Sequence, residues 1–595
     1  MPGTSDNFRI LNVAPNLIQI EVLDADQFRQ QTSGLNIGSY LKISDESNVS
    51  IIALVQSYRI KETNLPDQQS QATGPSFILD AHPIGFLDDA GNFRRGGQQI
   101  AIPPNNVEIA DDELLKKIYA AVEPRKQFVF SSLAQNENID IAVDGDRFFS
   151  KHIAVVGSTG SGKSGTVAKI LQEGINPSAD QSSRTMLNNS HILLFDLHGE
   201  YGPAFPSAKL LNITNLVLPY WLMNAEELEE MFIESNENTS HNQISQFRYA
   251  VLENKKRHNA SAVNLSYDSP VYFSIIEVLN YIFNLNEEML GKAEGENGQP
   301  KLSDGTLVDD RRKFYFEKKQ TFVVGSTVKA EKATGGPFNG DFDKFALRLA
   351  SKIMDDRLKF LLSPRNAAGS EYNTADLSDI LTQFLGYSTA AKKNVTILDL
   401  SGIPFEVLSI VVSLISRLVF DFCFYFKSLK EPGIEAPYLI VLEEAHNYIP
   451  QSEGSKYHSV KQSIERIAKE GRKYGLSLMI VSQRPSEISE TIFSQCNNFV
   501  AMRLTNPTDQ QYVKRLMPDV VNSITDSLPV LEQREALIIG DCIPIPTIVK
   551  IKELTDKPAS SDIHFRTEWK KDWVNIAFEP LINKMKKEPP KTIVM

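Results

Sequence analysis

The feature that most constrains this chain is a glycine-rich segment that directly follows a short apolar run. The run is Ile153–Val156, and the segment from Gly157 to Ser164 fits the pattern G-x-x-x-x-G-K-[ST]. Glycines let such a segment turn tightly, so that its N–H groups and the N-terminus of the following helix point at phosphate groups. A strand, a loop and a helix in this order predict an α/β fold with a parallel sheet that binds a nucleoside triphosphate.

Each part of this loop has an expected chemical role. Lys163 supplies a positive charge beside the phosphates, and the Ser164 hydroxyl is a candidate ligand of Mg²⁺. The residues predicted to contact ATP are Gly157, Ser158, Thr159, Gly160, Ser161, Gly162, Lys163, Ser164, Gly165 and Thr166. A glycine-rich turn that binds no nucleotide is the alternative, and the strand in front of the loop argues against it.

Two adjacent acids after a second apolar run complete the predicted site. Glu443 and Glu444 directly follow Tyr438–Leu442, and the carboxyl ends of parallel strands meet at one edge of a sheet. Glu443 is a candidate to reach Mg²⁺ through water, and Glu444 to polarise the water that attacks the γ-phosphate. Two such acids alone would more often lie in a solvated loop. Gln483, after a third run, is either a sensor of the γ-phosphate or an ordinary strand-end side chain.

The chain divides into regions with different apolar periodicity. Residues 7–145 alternate apolar and polar positions between turn clusters, which predicts a small antiparallel β-barrel. Beyond residue 145, apolar runs alternate with helical stretches, which predicts a parallel sheet. Its expected strands are 153–156, 191–195, 395–398, 438–442, 476–481 and 499–504. Roughly 200 residues separate the second strand from the third, far more than one crossover needs, so we expect an inserted helical subdomain.

The expected domain organisation follows from these regions. It comprises an N-terminal β-barrel domain at 1–145, an ATPase core at 146–220 and 391–555, a helical insertion at 221–390, and a C-terminal extension at 556–595 that packs on the body or on a neighbouring subunit. Within the insertion, residues 287–340 are polar and Gly-rich, which favours a solvated surface excursion over a loop that touches a partner. Residues 407–426 are apolar enough to span a membrane, but Arg417 and Asp421 near their middle favour a buried helix and no membrane contact.

Composition limits the partners and the compartment. Lys and Arg number 62 and Asp and Glu 74, for a net charge of −12, so any nucleic acid has to meet basic residues that are concentrated locally. The three cysteines, Cys423, Cys496 and Cys542, show no metal-binding spacing. Together with an N-terminus that lacks a signal-peptide pattern, they predict a cytoplasmic protein without structural zinc.

Several further motifs carry a resemblance to a known family. The chain resembles the HerA branch of the HerA/FtsK superfamily in the order and spacing of its motifs, and the resemblance extends over nearly the whole length. The matching segments are Lys151-His152, Gly157 to Ser164, Asp196-Leu197-His198-Gly199-Glu200-Tyr201, Leu398-Asp399-Leu400-Ser401-Gly402, Glu443-Glu444-Ala445-His446, Gly471-Arg472-Lys473-Tyr474-Gly475 and Ser482-Gln483-Arg484-Pro485.

The resemblance implies a hexameric ring of RecA-like ATPase domains. ATP would lie between subunits, and its hydrolysis would drive translocation of duplex DNA threaded through the central channel. Glu444 is then the catalytic glutamate, Gln483 the sensor, and Arg472 the best candidate to reach a neighbour's γ-phosphate, with Arg466 and Arg484 as substitutes.

The same resemblance places four residues either behind the residues that contact ATP or at a contact between subunits, without separate roles. These residues are Lys151, Asp196, His198 and Glu200. Lys151 stands where the family often has arginine, and lysine lacks the planar fork of a guanidinium. An intersubunit role for Lys151 is therefore the least supported of the four.

Two functions fit the resemblance. The first is an ATP-driven DNA motor that works with a partner effector, either a nuclease in DNA end processing or a nuclease or sirtuin-like NAD-consuming enzyme in antiphage defence. The second is an ATP-gated ring scaffold that assembles and regulates the effector with little unwinding. Other P-loop classes fit less well, because the chain has neither the N-K-x-D motif of GTPases nor an L-S-G-G-Q-like signature of ABC ATPases.

Overall fold

The structure of the protein is a computed structural model that divides into two compact units, residues 1–558 and residues 559–595. The residues it describes are 7–23, 38–44, 50–60, 77–88, 91–95, 106–119, 121–175, 188–233, 240–387, 392–451, 457–517, 522–560 and 563–586. Parts of the predicted N-terminal domain and the end of the predicted C-terminal extension lie outside these ranges.

The strands of the described residues are numbered in chain order. They are β1 Phe8–Ala14, β2 Leu17–Val22, β3 Tyr40–Ser44, β4 Ser50–Ile60, β5 Phe77–Leu87, β6 Phe93–Arg95, β7 Asn106–Ile109, β8 Gln127–Leu133, β9 Asn136–Asp144, β10 His152–Val156, β11 His191–Asp196, β12 Lys209–Leu211, β13 Met289–Gly291, β14 Ala333–Gly335, β15 Val395–Asp399, β16 Tyr438–Leu442, β17 Leu476–Ser482, β18 Cys496–Met502, β19 Glu535–Gly540 and β20 Thr547–Ile551.

The α-helices are numbered in the same way. They are α1 Asp112–Tyr119, α2 Gly145–Ser150, α3 Lys163–Ile175, α4 Ala225–Phe232, α5 Ser240–His258, α6 Ile275–Glu287, α7 Arg311–Glu317, α8 Asp343–Met354, α9 Lys359–Leu362, α10 Leu377–Leu385, α11 Phe405–Leu429, α12 His458–Glu470, α13 Glu490–Phe493, α14 Pro507–Leu516, α15 Asn522–Thr525, and, in the C-terminal unit, α16 Phe565–Glu568 and α17 Phe578–Met585.

A large sheet forms the centre of the first unit. Its strand order is β12-β15-β11-β16-β17-β10-β18-β19-β20-β8-β9. The pairs from β12 to β18 are parallel, and those from β18 to β9 are antiparallel. The predicted parallel α/β sheet is confirmed, and all six predicted strands overlap strands of this sheet. Strand β10 is buried at every residue. The glycine-rich loop and α3 follow its carboxyl end.

The N-terminal region forms a separate antiparallel sheet. Its order is β1-β2-β5-β4-β3-β7, with β6 on β5, and alternate residues such as Ile18 and Ile20 are fully buried. The predicted antiparallel unit is thus present as a half-barrel, in which no pairing of β1 with β7 occurs among the described residues. The sequence prediction also placed residues 127–144 in this domain, but β8 pairs with β20 and β9 pairs with β8, so both strands extend the large sheet.

The insertion between β12 and β15 is helical, with α4–α10 and a small hairpin of β13 and β14. Residues 287–340, expected to form a solvated excursion, are exposed or half-buried at most positions and are anchored by a few buried side chains. Glu288 is fully buried, where it accepts hydrogen bonds from Arg311 Nε at 2.7 Å and from the Tyr315 hydroxyl at 2.6 Å. A buried carboxylate held in this way fixes the segment, because losing a partner would leave an uncompensated charge.

Helix α11 is long and apolar enough to cross a membrane by length and composition, and 78% of its most apolar window is buried inside the protein. Arg417 pairs with the fully buried Glu227 of α4 at 2.8 Å and with Asp421 at 3.6 Å. These contacts agree with the interpretation of residues 407–426 as a buried helix, since the charged groups bind neighbours within the core.

Candidate nucleotide-binding site

The glycine-rich loop lies between β10 and α3, and main-chain hydrogen bonds tie it to three neighbouring segments. Gly157 N donates to Ser482 O at 3.3 Å, and Ser158 N donates to Arg503 O at 2.8 Å. On the far side, Arg534 N donates to Ser161 O at 3.0 Å. The loop shape is therefore set by the ends of β17 and β18 and by the start of β19.

Two glycines of the loop are required by its geometry. Gly162 has a φ of +96°, a left-handed conformation that side chains disfavour. A Cβ at Gly157 would lie 2.6 Å from Ser161 Oγ and 2.9 Å from Met502 Cβ. The motif glycines thus allow the loop to lie directly on the end of β18, with Lys163 as the first residue of α3.

The structure brings Lys163, Glu444 and Gln483 into direct contact. Lys163 Nζ donates to Glu444 Oε1 at 2.9 Å, and both side chains are almost completely buried. Gln483 Nε2 donates to the same oxygen, while its Oε1 accepts from the Thr159 hydroxyl at 2.5 Å. Strand β17 lies between β16 and β10, which explains why Gln483 bridges the carboxylate and the loop.

The backbone of Glu444 is strained. Its φ of +47° and ψ of +46° lie in the left-handed region, which costs a non-glycine residue about 1–2 kcal/mol. Two side chains stabilise this turn after β16. The Tyr448 hydroxyl donates to Glu443 O at 2.7 Å, and Asn447 Nδ2 donates to Glu444 O at 3.1 Å. Such strain at a polar cluster is typical of functional sites.

The two acids have opposite electrostatic environments. Burial and the neighbouring charge of Glu444 raise the pKa of Glu443 to about 8, against the opposing effect of Lys163. Burial would also raise the pKa of Glu444, but the charge of Lys163 and the hydrogen bond from Gln483 outweigh it and lower that pKa. Glu444 is therefore the ionised member of the pair, as a group that accepts a proton from water has to be.

The loop after β11 lies on the other side of the two acids. Asp196 is buried and accepts hydrogen bonds from the main-chain N–H groups of Glu200 at 3.1 Å and Tyr201 at 2.8 Å. Burial raises the pKa of both Glu200 and Tyr201, and the nearby Ser164 hydroxyl opposes this effect. Asp196 thus shapes the loop and Glu200 faces the site, whereas His198 is exposed.

The structure does not bring Lys151 or Arg472 to this site within one chain. Both precede a strand whose carboxyl end faces the loop, so they lie at the opposite, amino edge of the sheet. Lys151 pairs with Asp541, and Arg472 is exposed and lines a cavity of about 660 Å³. Among the substitutes, Arg466 stacks on Phe420 away from the loop.

Sequence reasoning missed several residues that the fold adds to the site. His446 Nδ1 lies 3.1 Å from Ser482 Oγ and 3.4 Å from Glu444 Oε2. The Arg503 guanidinium reaches the Gly160 carbonyl at 3.5 Å. His446 follows the paired acids by two residues, a signal that was available. Arg503 carries no local motif and could be found only from the pairing of β18 with β10.

The fold and this geometry define a P-loop ATPase. Residues 128–419 match the family described as "Helicase HerA, central domain". A probable helicase of Methanocaldococcus jannaschii is 25% identical over 560 residues, covering 91% of this chain and 90% of that protein. The "DNA double-strand break repair helicase HerA" of Sulfolobus acidocaldarius is 27% identical over 466 residues, covering 78% of this chain and 76% of that protein.

Among solved structures, VirB4 of Thermoanaerobacter pseudethanolicus is similar with a TM-score of 0.44 and 13% identity, covering 73% of this chain and 98% of its own. The chain thus matches the HerA central domain over residues 128–419 and is similar in sequence to HerA helicases over most of its length, and its site is that of an ATP-hydrolysing enzyme of the helicase type.

Proposed function

We propose that this protein is an ATP-driven DNA translocase that works in the cytoplasm as a homo-hexameric ring with duplex DNA in its central channel. The observation that carries the proposal is the buried contact between Lys163, Glu444 and Gln483 at the end of the parallel sheet. The HerA match over most of the chain supports DNA as the substrate, since the relative from S. acidocaldarius is named a DNA repair helicase.

The side chains of the site divide the work of hydrolysis. Lys163 and the loop N–H groups bind the phosphates, and Glu444, kept ionised, orients and deprotonates the attacking water. The γ-phosphate competes with Glu444 for Lys163, because both are anions at the same ammonium group. Gln483 contacts both Glu444 and Thr159. If binding or loss of the γ-phosphate moves either residue, the Gln483 side chain transmits that movement to β17.

The residues around Glu443 fit a Mg²⁺ ion. Glu443 Oε2 is buried and accepts no hydrogen bond from the residues that the structure describes. Burial beside a second acid already disfavours the charge of Glu443, and a divalent cation would compensate for it. Ser164 and Glu443 would hold the ion together with phosphate oxygens and waters, as is usual for Mg²⁺. When bound, the ion neutralises charge on the phosphate tail.

Ring assembly accounts for the position of Arg472. An exposed guanidinium at the amino edge cannot reach the phosphates of its own chain, but it is free to contact the nucleotide of a neighbour, where such an arginine stabilises the transition state. Because the chain has a net charge of −12, DNA has to contact basic groups that are concentrated locally. Weak contacts suit a motor that releases DNA in each cycle.

The proposal includes a partner effector, a nuclease or a sirtuin-like NAD-consuming enzyme, in DNA end processing or antiphage defence. In this proposal the partner carries out the nuclease or NAD-consuming chemistry, and this chain hydrolyses ATP. An ATP-gated scaffold that regulates the effector is the alternative.

ATPase measurements with duplex DNA over a range of salt concentrations test the proposal. DNA should stimulate turnover, and stimulation should fall steeply as salt rises, because phosphate contacts release counterions. Lys163→Ala should remove turnover, while Lys116→Ala, a change at an exposed lysine of α1, should not. Normal turnover in Lys163→Ala would contradict the site. A response to DNA that is flat in salt, with ATP-dependent activation of a co-purified enzyme, would favour the scaffold.

A further inference from the structure

The negative charges around the loop outnumber the positive charges. Lys163 is the cation whose charge acts on Glu443, and Glu444, Asp196 and Glu200 are anions that act on it as well. A triphosphate tail adds several further negative charges. One lysine and one divalent cation do not balance such a cluster in a buried site, where uncompensated charge is costly.

Arg503 is a second cation beside the glycine-rich loop. It follows β18, the strand beside the loop, and its Nη2 lies 3.5 Å from Gly160 O. Its own main-chain oxygen accepts the hydrogen bond from Ser158 N at 2.8 Å. The side chain thus extends along the glycine-rich loop from a backbone that is fixed to it, which limits the entropy lost when the guanidinium binds a ligand.

Arg503 differs from the other arginines near the loop in its partners. Arg534 donates to Ile551 O at 2.6 Å and to Glu553 at 3.1 Å, and Arg484 pairs with Glu487 at 2.8 Å. In the part of the chain that the structure describes, Arg503 forms no ion pair, and its side-chain contact is the carbonyl of Gly160. Its half-buried guanidinium retains most of its N–H donors for an anion.

We propose that Arg503 is a nucleotide-binding residue that donates hydrogen bonds to the phosphate tail of ATP held by the loop of its own chain. This inference rests on the P-loop ATP site and is independent of DNA and of ring assembly. Arg503 contacts the nucleotide of its own chain, whereas Arg472 is the candidate to contact the nucleotide of a neighbouring chain. A planar guanidinium matches phosphate oxygens better than an ammonium group does.

Binding titrations without DNA test this assignment with Arg503→Ala, Arg503→Lys and Arg503→Gln. We expect Arg503→Ala to raise the Kd of ATP about 10- to 100-fold, the usual loss for a charged hydrogen bond. Arg503→Lys should retain part of the affinity, and Arg503→Gln should behave like the alanine variant. Arg515→Ala is the matched control, since that arginine pairs with Glu490 at 3.1 Å, and its Kd should equal that of the wild type.

Inorganic tripolyphosphate, used as a competitor of a fluorescent ATP analogue, shows which part of the nucleotide is bound. Its inhibition constant should rise in Arg503→Ala by the same factor as the Kd of ATP. Loss of ATP affinity with unchanged tripolyphosphate affinity would overturn the proposal, as would an unchanged Kd of ATP. If Arg503→Ala does not fold, the comparison of Arg503→Lys with Arg503→Gln tests the proposal in the same way. Loss of binding in Lys163→Ala beside normal binding in Arg503→Ala would reject this inference alone, whereas normal binding in both would reject the site itself.

Discussion

The two edges of the central parallel sheet use their polar side chains differently. At the carboxyl edge, Lys163 and Glu444 are buried against each other and Glu443 keeps an oxygen without a hydrogen-bond partner among the described residues. At the amino edge, His152 is buried with both ring nitrogens satisfied, Nδ1 by Leu478 N at 3.0 Å and Nε2 by Ala468 O at 2.9 Å. A buried group without a partner calls for a ligand, whereas a satisfied one stabilises the fold.

Arg472 is the exception at the amino edge. It is exposed and shares the lining of the cavity with Arg125 and Lys126. Its distance from the loop of its own chain follows from its place before β17, since Gln483 follows the same strand at the other end. Under the proposed function, Arg472 acts on the nucleotide of a neighbouring chain and Glu444 acts within its own chain, and the two roles can be tested separately.

Of the variants at Arg472, Glu444 and His152, Arg472→Ala should have the largest effect. We expect turnover to fall about 1000-fold, as for other arginines that act in trans, while the Kd of ATP stays near the wild-type value. Lys473→Ala, a change at the exposed neighbouring residue, is the control.

Mixing variants distinguishes a role between chains from a structural one. A mixture of Arg472→Ala and Glu444→Gln subunits should recover turnover well above either variant alone, because some interfaces then combine an intact Glu444 with an intact Arg472. No recovery in assembled mixtures would mean that Arg472 acts within its own chain or only supports the fold.

A smaller loss is expected from Glu444→Gln. Removing the carboxylate that activates water should reduce kcat about 100- to 1000-fold. The Kd of ATP should stay equal or decrease, because Lys163 loses the anion that competes with phosphate. Rapid-quench and equilibrium-binding measurements give the two quantities, with Glu465→Gln in α12 as a control. Near-normal kcat would place the base elsewhere.

The smallest effect concerns stability at the amino edge. Burial lowers the pKa of His152, with a further contribution from Arg472, so the folded protein holds this ring neutral. The contribution of the neutral ring to the free energy of unfolding is complete above about pH 6.5, the pKa of histidine in the unfolded chain. It is lost as the pH falls below that pKa. Thermal unfolding between about pH 7.5 and 5.5 should show a smaller pH dependence in His152→Gln, by about 1 kcal/mol. Equal pH dependence would contradict the assignment.

Much of the carboxyl edge was predictable because each part follows a buried strand. The loop, Glu443, Glu444 and Gln483 all stand directly after apolar runs, and parallel strands bring such positions together. Sequence alone could not show that Gln483 donates to Glu444, nor that Arg503 reaches Gly160, because those contacts depend on the strand order β16-β17-β10-β18.

The errors of sequence reasoning have physical causes. Alternating strands look alike wherever they pair, so β8 and β9 gave no sign that they belong to the large sheet. The polar composition of residues 287–340 indicated exposure, which holds for most of the segment, but it did not reveal that Arg311 and Tyr315 hold Glu288 in a buried position. Burial of a charge depends on partners that only the folded chain brings together.

The attachment of the phosphate-binding loop has a mechanical consequence. Three main-chain hydrogen bonds join the loop to Ser482, Arg503 and Arg534. A small displacement of the loop therefore acts on three segments at once. Because their donors and acceptors belong to the main chain, these hydrogen bonds do not depend on which side chains the residues carry. Under the proposed function, a movement of the loop during ATP hydrolysis would shift the ends of β17 and β18 and the start of β19 together.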